Sequence, residues 1–468
     1  MNLDALQSQV PARLLTSAHD MAPFLEDWRG RWRGRALAVA QPADAAQVQA
    51  IVRWCAAHGV PIVPQGGNTG LVGAGVPDGS GRALLVSLTR MNAVRRTDPV
   101  NGTVTAEAGC RLADLQELAA RHGRLFPLSL ASEGTCTLGG NLSTNAGGVQ
   151  VLRYGNAREL CLGLEVVTAE GELWSSLRGL RKDNTGYDLR DLFIGAEGTL
   201  GIITAATMKL FPRPAAQVTA FVALAGAQQA VRLFEMAQRH LGAALTAFEL
   251  VDDRCVALAQ HHFPSQCRRP LPIACASWVL IECGDGGDEA RARAACEALL
   301  SEALEAECAL DAVVAGSLSQ SRELWRLREL SAEAQVKQGP NFKHDISLPI
   351  SEIAQFIEHM RVDLAKAFPG TELLVFGHIG DGNLHFNVAP PAGLCGAAFE
   401  EMEARVNRHV YDAVDAAGGS FSAEHGVGQA KVDETRRYKP SVELRLMQRI
   451  KRALDPQGLM NPGKVLNV

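Results

Sequence analysis

The sequence predicts an α+β protein of two or three domains, and three observations carry that expectation. At 468 residues the chain exceeds the ~250–300 at which a single core stops growing. Its first half alternates short apolar strands and amphipathic helices around three long glycine-rich loops. From Ala216 the texture changes to strands and helices in the order of an antiparallel sheet with helices laid on one face.

Taken in order, Asp44 and Gln47 form a capping box for a helix whose apolar stripe is Val48, Ile51, Val52 and Cys55, with Gly59 ending it. Val60–Val63 reads as a strand running into Pro64-Gln65-Gly66-Gly67-Asn68-Thr69-Gly70-Leu71-Val72-Gly73-Ala74-Gly75, where glycines permit left-handed backbone and close approach to a ligand. Consecutive N–H groups in such a loop make a nest for phosphate oxygens. Leu84–Leu88 and Thr103–Ala106 read as buried strands and Leu112–His122 as an amphipathic helix. A second loop runs Gly134-Thr135-Cys136-Thr137-Leu138-Gly139-Gly140-Asn141-Leu142-Ser143-Thr144-Asn145-Ala146-Gly147-Gly148, and offers many donors and little bulk. The third, Gly195-Ala196-Glu197-Gly198-Thr199-Leu200-Gly201-Ile202, couples a turn to a strand ending near Phe211. None of them is the Gly-x-Gly-x-x-Gly fingerprint of a nicotinamide domain. Further on come strands at Thr219–Leu224, Leu245–Val251, Trp278–Glu282, Asp311–Val314 and Phe342–Leu348. Helices are expected over Ala227–His240, Asp288–Ala306, Ser321–Lys337, Ser351–Phe368 and Val442–Leu454.

The net charge of −5 gives no reason to expect nucleic acid or an anionic membrane surface as partner. Eleven scattered cysteines without a Cys-x-x-Cys point to reduced thiols in a cytoplasmic protein and away from an iron–sulfur cluster. The N-terminus lacks a signal pattern and no run approaches the ~18 apolar residues of a membrane span, so a soluble protein is expected.

The sharpest chemistry lies in Gly377-His378-Ile379-Gly380-Asp381-Gly382-Asn383-Leu384-His385, between the apolar runs Leu373–Phe376 and Phe386–Val388. A hairpin that sets Ile379 against Leu384 places His378 opposite His385, with Cβ atoms roughly 4.5–5.5 Å apart. Both imidazoles then reach one divalent ion, and Glu424, in Ala423-Glu424-His425-Gly426, closes the shell. Two histidines, a carboxylate and an open position form a recurrent catalytic zinc arrangement, with His425 free to act as a base. The alternative is two unrelated hairpin histidines beside a polar loop.

The three glycine loops resemble those of FAD proteins of the PCMH or vanillyl-alcohol-oxidase type. Lys343-His344-Asp345-Ile346-Ser347, the His378/His385 hairpin, Ala423-Glu424-His425-Gly426 and Asn461-Pro462-Gly463-Lys464 resemble the branch holding D-2-hydroxyglutarate and D-lactate dehydrogenases. The resemblance runs from about Ala36 to the end. It implies a two-subdomain FAD-binding fold over 1–212. An antiparallel-sheet substrate domain with flanking helices follows over 213–422, and a C-terminal helical segment, 423–468, returns to the flavin. By the same resemblance FAD is held by the three loops together with Tyr154 and Asn461. Asn68 stands where some relatives tether the flavin through His, so FAD is expected to be non-covalent. His378, His385 and Glu424 match metal ligands, usually of zinc, and His425 matches the catalytic base. Arg328, Lys343 and Asn387 match residues that hold the substrate, with His425 beside them. Ala332 departs from the Ser or Thr common in the family, with Ser331 next to it.

The activity so implied is oxidation of an (R)-2-hydroxy acid to a 2-oxo acid. D-2-hydroxyglutarate leads, because a second cation at Lys343 suits a second carboxylate, with D-malate and D-lactate as alternatives. The rival reading is a D-lactate dehydrogenase or the flavin subunit of a glycolate oxidase. The electron acceptor is not written in the chain. Electron-transfer flavoprotein or a quinone is expected, and self-association as a homodimer is left open.

Overall fold

The structure is a computed structural model that describes residues 7–9 and 11–467. It divides into two compact units. One comprises residues up to Gly147, Gly155–Arg213 and Glu424 onward; the other comprises Gly148–Tyr154 and Pro214–Ala423.

The first unit holds two main sheets. The strands β1 (Arg13–Leu15), β2 (Ala38–Gln41), β3 (Ile62–Gln65) and β4 (Leu84–Ser87) form a sheet in the order β1-β2-β4-β3, in which β2 and β3 both run parallel to β4. Parallel neighbours need a crossover, and helix α1 (Ala45–His58) supplies it between β2 and β3. Asp44 caps α1 through the Gln47 N–H, Gly59 ends it at φ 63°, and Val48, Ile51, Val52 and Cys55 are all fully buried. The second sheet takes β5 (Val94–Asp98) and β6 (Thr103–Glu107), with β8 (Cys161–Thr168), β9 (Leu173–Ser176) and β10 (Gly201–Lys209), in the antiparallel order β5-β6-β10-β8-β9. The short strands β7 (Arg124–Leu125) and β11 (Phe211–Pro212) pair with each other. Helix α2 (Leu112–Arg121) matches the expected amphipathic segment. The second glycine loop is not all loop: Leu138–Ser143 winds into a short helix, α3, that follows Thr137. Glycines at 139 and 140 tolerate this, because burial of Leu138 and Leu142 outweighs their poor helix propensity.

The final residues of the chain are built into this unit. Asn461 donates from its main chain to the Ile62 carbonyl, and from its amide to the carbonyls of Glu197 (2.7 Å) and Ala74 (3.1 Å). Lys451, on the helix Ser441–Leu454, is buried and donates to the carbonyls of Thr199 and Met460 and to the Asp455 carboxylate. Burial depresses its pKa, and the Asp455 carboxylate opposes that shift.

The second unit is organised on one seven-stranded antiparallel sheet. Its strands are β12 (Ala216–Leu224), β13 (Leu245–Asp252), β14 (Ser277–Asp285), β15 (Asp311–Val314), β16 (Phe342–Ser347), β17 (Glu372–Gly377) and β18 (Asn383–Ala389), in the order β15-β12-β14-β13-β17-β18-β16. Its helices are α4 (Ala227–Leu241), α5 (Asp253–His262), α6 (Glu289–Glu305), α7 (Leu318–Gln338), α8 (Ile353–Ala367) and α9 (Gly396–Ala416). They cover both faces, which corrects the expectation of one. Phe234 of α4 meets Phe248, Phe356 of α8 meets Phe386, and Tyr411 of α9 meets His344 on one side. On the other side α5 and α7 pack over Phe221, Val251, Trp278 and Phe376. The central strands are buried on both sides, so their near-continuous apolar runs leave no face for solvent. Two helices, α5 and α9, were not expected from the sequence. The buried positions Val406, Val410, Tyr411 and Val414 give α9 its helical spacing.

Among the described residues Lys451 is the one cation that hydrogen-bonds the Asp455 carboxylate, and Lys451→Met removes it. An uncompensated buried carboxylate costs about 3–5 kcal/mol, so this variant is expected to unfold at markedly lower denaturant, with early amide exchange across 456–467. Wild-type stability would contradict the assignment.

Candidate functional site

In the first unit the three glycine loops converge on one open cleft of about 870 Å³. Of the residues that sequence resemblance assigns to FAD, Pro64, Gly66, Gly67, Asn68, Thr69, Gly70, Thr137, Gly139, Gly140, Asn141, Thr144, Glu197, Gly198, Gly201 and Ile202 line it. Leu71, Gly134, Asn145, Gly147 and Asn461 belong to the same unit but not to the cleft wall, whereas Gly148 and Tyr154 fall in the second unit. Asn461 acts through the loops that it ties together, at Ala74 and Glu197.

The loops approach so closely that side chains are excluded. A Cβ on Gly67 would lie 2.1 Å from the Thr135 carbonyl oxygen, and one on Gly66 2.4 Å from Thr137 Oγ1. Asn68 and Glu197 hold left-handed backbone at φ 54° and 50°, and each is fixed by its side chain. Asn68 donates its amide to the Glu26 carbonyl at 2.7 Å. The Glu197 carboxylate accepts the N–H groups of Val427 and Gly428, both at 2.7 Å. Burial pushes the Glu197 pKa up to about 6 despite those two donors.

Two buried polar atoms on this wall lack partners among the described residues: Thr137 Oγ1 and Asp27 Oδ2. Asp27 spends its other oxygen on the N–H groups of Arg31 and Trp32. A narrow, glycine-walled cleft with unsatisfied polar atoms fits a long ligand rich in donors and acceptors, as FAD is. Asp27 was not legible as a cleft residue, since no glycine or motif surrounds it.

In the second unit the candidate residues share one face of the seven-stranded sheet. Lys343 pairs with Asn387 across β16 and β18, and Asp345 with His385. Phe376 of β17 pairs with His385 on the other side. The expected hairpin register is thus corrected: Phe376, not His378, stands opposite His385. Gly377 turns out of the ladder at φ 145°, and Ile379–Asp381 forms a single helical turn that absorbs the intervening residues. His378 lies just past the end of β17, and its Nδ1 reaches Glu249 of β13. Its ring still reaches His385, with ring centroids 5.7 Å apart.

The centre of this face is a residue the sequence did not single out. Glu249 of β13 is 1% exposed; it accepts from His378 Nδ1 at 2.7 Å and from Arg328 Nε of α7 at 2.8 Å. Burial alone would raise its pKa, but the charges and hydrogen bonds of His378 and Arg328 outweigh burial and hold it near 2. An ionised carboxylate only accepts, so Nδ1 of His378 carries a proton, and in the neutral ring the lone pair is left on Nε2. The Arg328 guanidinium also lies over the Phe376 ring, 5.1 Å from its centroid. Asn387 donates its amide to Gln335 of α7 at 2.9 Å. The Ser331 hydroxyl is used within α7, donating to the Leu327 carbonyl.

Asp345 accepts from Asn383 Nδ2 and from the Ala423 N–H. Its carboxylate and the His385 ring offer ligand atoms within 4.8 Å of each other. Glu424 and His425, the next residues along the chain, belong to the first unit, with His425 Nε2 3.6 Å from Glu424 Oε1. Imidazole and carboxylate donors of this kind suit a divalent ion such as zinc.

Comparison with known proteins places these features. Residues 36–176 match the family described as FAD binding domain, and residues 213–465 match that described as FAD linked oxidases, C-terminal domain. The D-2-hydroxyglutarate dehydrogenase of Xanthomonas citri pv. viticola is 38% identical over 464 residues, covering 98% of this chain and 96% of its own length. The mitochondrial D-2-hydroxyglutarate dehydrogenase of Bos taurus is 37% identical over 470 residues, covering 99% and 83%. Among solved structures, p-cresol methylhydroxylase with substrate bound superposes with a TM-score of 0.77 at 15% identity, over 100% of this chain and 98% of that one. That likeness is one of fold, and with the family matches it bears out the expected α+β, PCMH-type architecture.

Gly67→Ala must push the first and second loops apart, so the purified variant is expected to lose most of its flavin absorbance. Gly79→Ala, where the added carbon meets nothing within 4 Å, is expected to keep it. Equal flavin content in both variants would contradict the close approach.

Proposed function

The chain belongs to the FAD-linked oxidases as an FAD-dependent 2-hydroxy-acid dehydrogenase, and we propose that its substrate is D-2-hydroxyglutarate, oxidised to 2-oxoglutarate with the help of a divalent metal ion. The observation that carries this reading is the polar sheet face, where Arg328 and Lys343 supply two cations on either side of the imidazole pair. Two cations suit a dicarboxylate, and relatives 37–38% identical over nearly the whole chain bear that substrate's name.

FAD, bound without a covalent link, supplies the acceptor for a hydride leaving C2 of the substrate. By the family resemblance His378, His385 and Glu424 would hold a divalent ion, usually zinc, with Asp345 beside His385 adding negative charge, and such an ion would lower the pKa of the substrate hydroxyl. The chain's own residues do the rest. Arg328 spends Nε on Glu249, which leaves the terminal nitrogens of its fork to grip a carboxylate. Lys343 takes the second carboxylate as a point charge. Asn387 gives one amide N–H to Gln335 and keeps the other for the substrate's hydroxyl oxygen. His425 accepts the hydroxyl proton on a ring nitrogen, the general-base role that imidazole most often fills. The family likeness points to electron-transfer flavoprotein as the separate protein that would take the electrons from bound FAD.

One observation favours a second reading, a D-lactate dehydrogenase. Ala332 offers no hydroxyl where relatives often have one, and Ser331 has spent its own on Leu327. A site with one fewer donor discriminates less strongly in favour of a dicarboxylate.

Anaerobic titration separates the possibilities. D-2-hydroxyglutarate is expected to bleach the visible flavin band in a single turnover, with kcat/KM well above that for D-lactate and no reaction with the L-enantiomer. Chelation is expected to slow bleaching by on the order of a hundredfold or more. A flavin that stays oxidised with D-2-hydroxyglutarate would overturn the substrate, and an unchanged rate after complete chelation would overturn the metal.

A further inference from the structure

We propose that Glu249 is a positioning residue that sets both the metal-ligand imidazole and the substrate-binding guanidinium, an inference that rests on the reading of His378 as a metal ligand. Glu249 hydrogen-bonds both. Its Oε1 accepts from His378 Nδ1 at 2.7 Å and its Oε2 from Arg328 Nε at 2.8 Å. All three side chains are nearly buried, with side-chain exposures of 1% for Glu249, 8% for His378 and 9% for Arg328.

The bond to Nδ1 does two things. It fixes the tautomer, so that the lone pair sits on Nε2, and it stops the ring from rotating about χ2. A ligating histidine needs both, and partners of this kind typically govern metal affinity by 10–100-fold. The bond to Nε does the same for Arg328. With the Phe376 ring beneath the guanidinium, the fork is held in one plane before any substrate arrives. The Arg328 cation and the imidazole N–H also explain why a carboxylate is tolerated in the interior of a sheet at all, since unpaired it would be strongly disfavoured there.

The distinction between Glu and Gln makes the proposal testable. In Glu249→Gln the amide oxygen turns to the Arg328 cation, because an NH2 group facing a guanidinium N–H would be repelled. The NH2 then faces His378 Nδ1, which becomes an acceptor and moves the ring proton to Nε2. The ligand atom is thereby blocked without any change in side-chain volume. A role confined to packing would leave these properties unmoved.

The experiment uses flavin-loaded protein stripped of metal and titrated with zinc alone, followed by steady-state kinetics with D-2-hydroxyglutarate. Glu249→Gln is expected to keep its flavin spectrum, bind zinc 10–100-fold more weakly and raise KM at least tenfold. Histidine ¹⁵N spectra are expected to show the His378 tautomer inverted. Glu249→Asp keeps the charge, but its shorter side chain cannot span both partners. It is expected to fall between wild type and Glu249→Gln, and it serves if Glu249→Gln fails to fold. Wild-type zinc affinity and KM in either soluble variant would overturn the proposal. His378→Ala identifies which idea has failed: if it binds zinc as wild type does, the ligand reading falls and this inference with it. If His378→Ala loses zinc while Glu249→Gln does not, only the role of Glu249 falls.

Discussion

A carboxylate inside a β-sheet has to be paired, and the pairing of Glu249 organises the chemistry of the second unit. One oxygen is committed to an imidazole at a turn and the other to a guanidinium on a helix. Each partner is held by what the other element supplies, so the strand β13, the turn after β17 and the helix α7 are locked to one another at their polar groups. The remaining residues of that face follow from sheet periodicity. Lys343, Asp345, His385 and Asn387 all point the same way because strand neighbours two apart share a face and directly paired residues do too. The opposite faces of the same strands, with Leu384, Phe386, Val388, Phe342 and Ile346 fully buried, anchor the sheet against its helices.

The first unit solves a different problem with the same economy of parts. Its loops must come close enough to one another to enclose a long cofactor, and only glycine permits that at Gly66 and Gly67. Loops without side chains have little to hold them in place. The chain end supplies the missing contacts: Asn461 joins two loops by their carbonyls, and Glu197 is held by the main chain of Val427 and Gly428. A terminal motif that the sequence resemblance links to the flavin thus works largely by fixing the residues that form the cleft.

Much of this was legible because it depends on local rules. The stripe of α1, its Asp44 cap and Gly59 stop are read directly from spacing, and the glycine loops announce their backbone by composition. What was not legible depends on contacts far apart in the chain. Glu249 sits between the apolar Phe248 and Leu250, and its partners lie 79 and 129 residues away. The hairpin register slipped because a helical turn at Ile379–Asp381 consumes residues that a tight turn would leave in the ladder. The helices of the second unit were expected on one face because an antiparallel sheet often keeps a wet side. Here the strands are apolar on both, and α5 and α7 cover the second side.

The proposed metal ion would sit beside His378 and His385, with Nε2 of His378 turned to it because Glu249 accepts from Nδ1. The most direct measurement is an anomalous-difference map, recorded at the zinc edge, from crystals of the flavin-bound protein loaded with zinc. The account predicts one strong peak within bonding distance of His378 Nε2 and of the His385 ring. A map whose strong peaks all lie away from these two imidazoles, or a peak bonded to His378 through Nδ1 with Glu249 displaced, would contradict it.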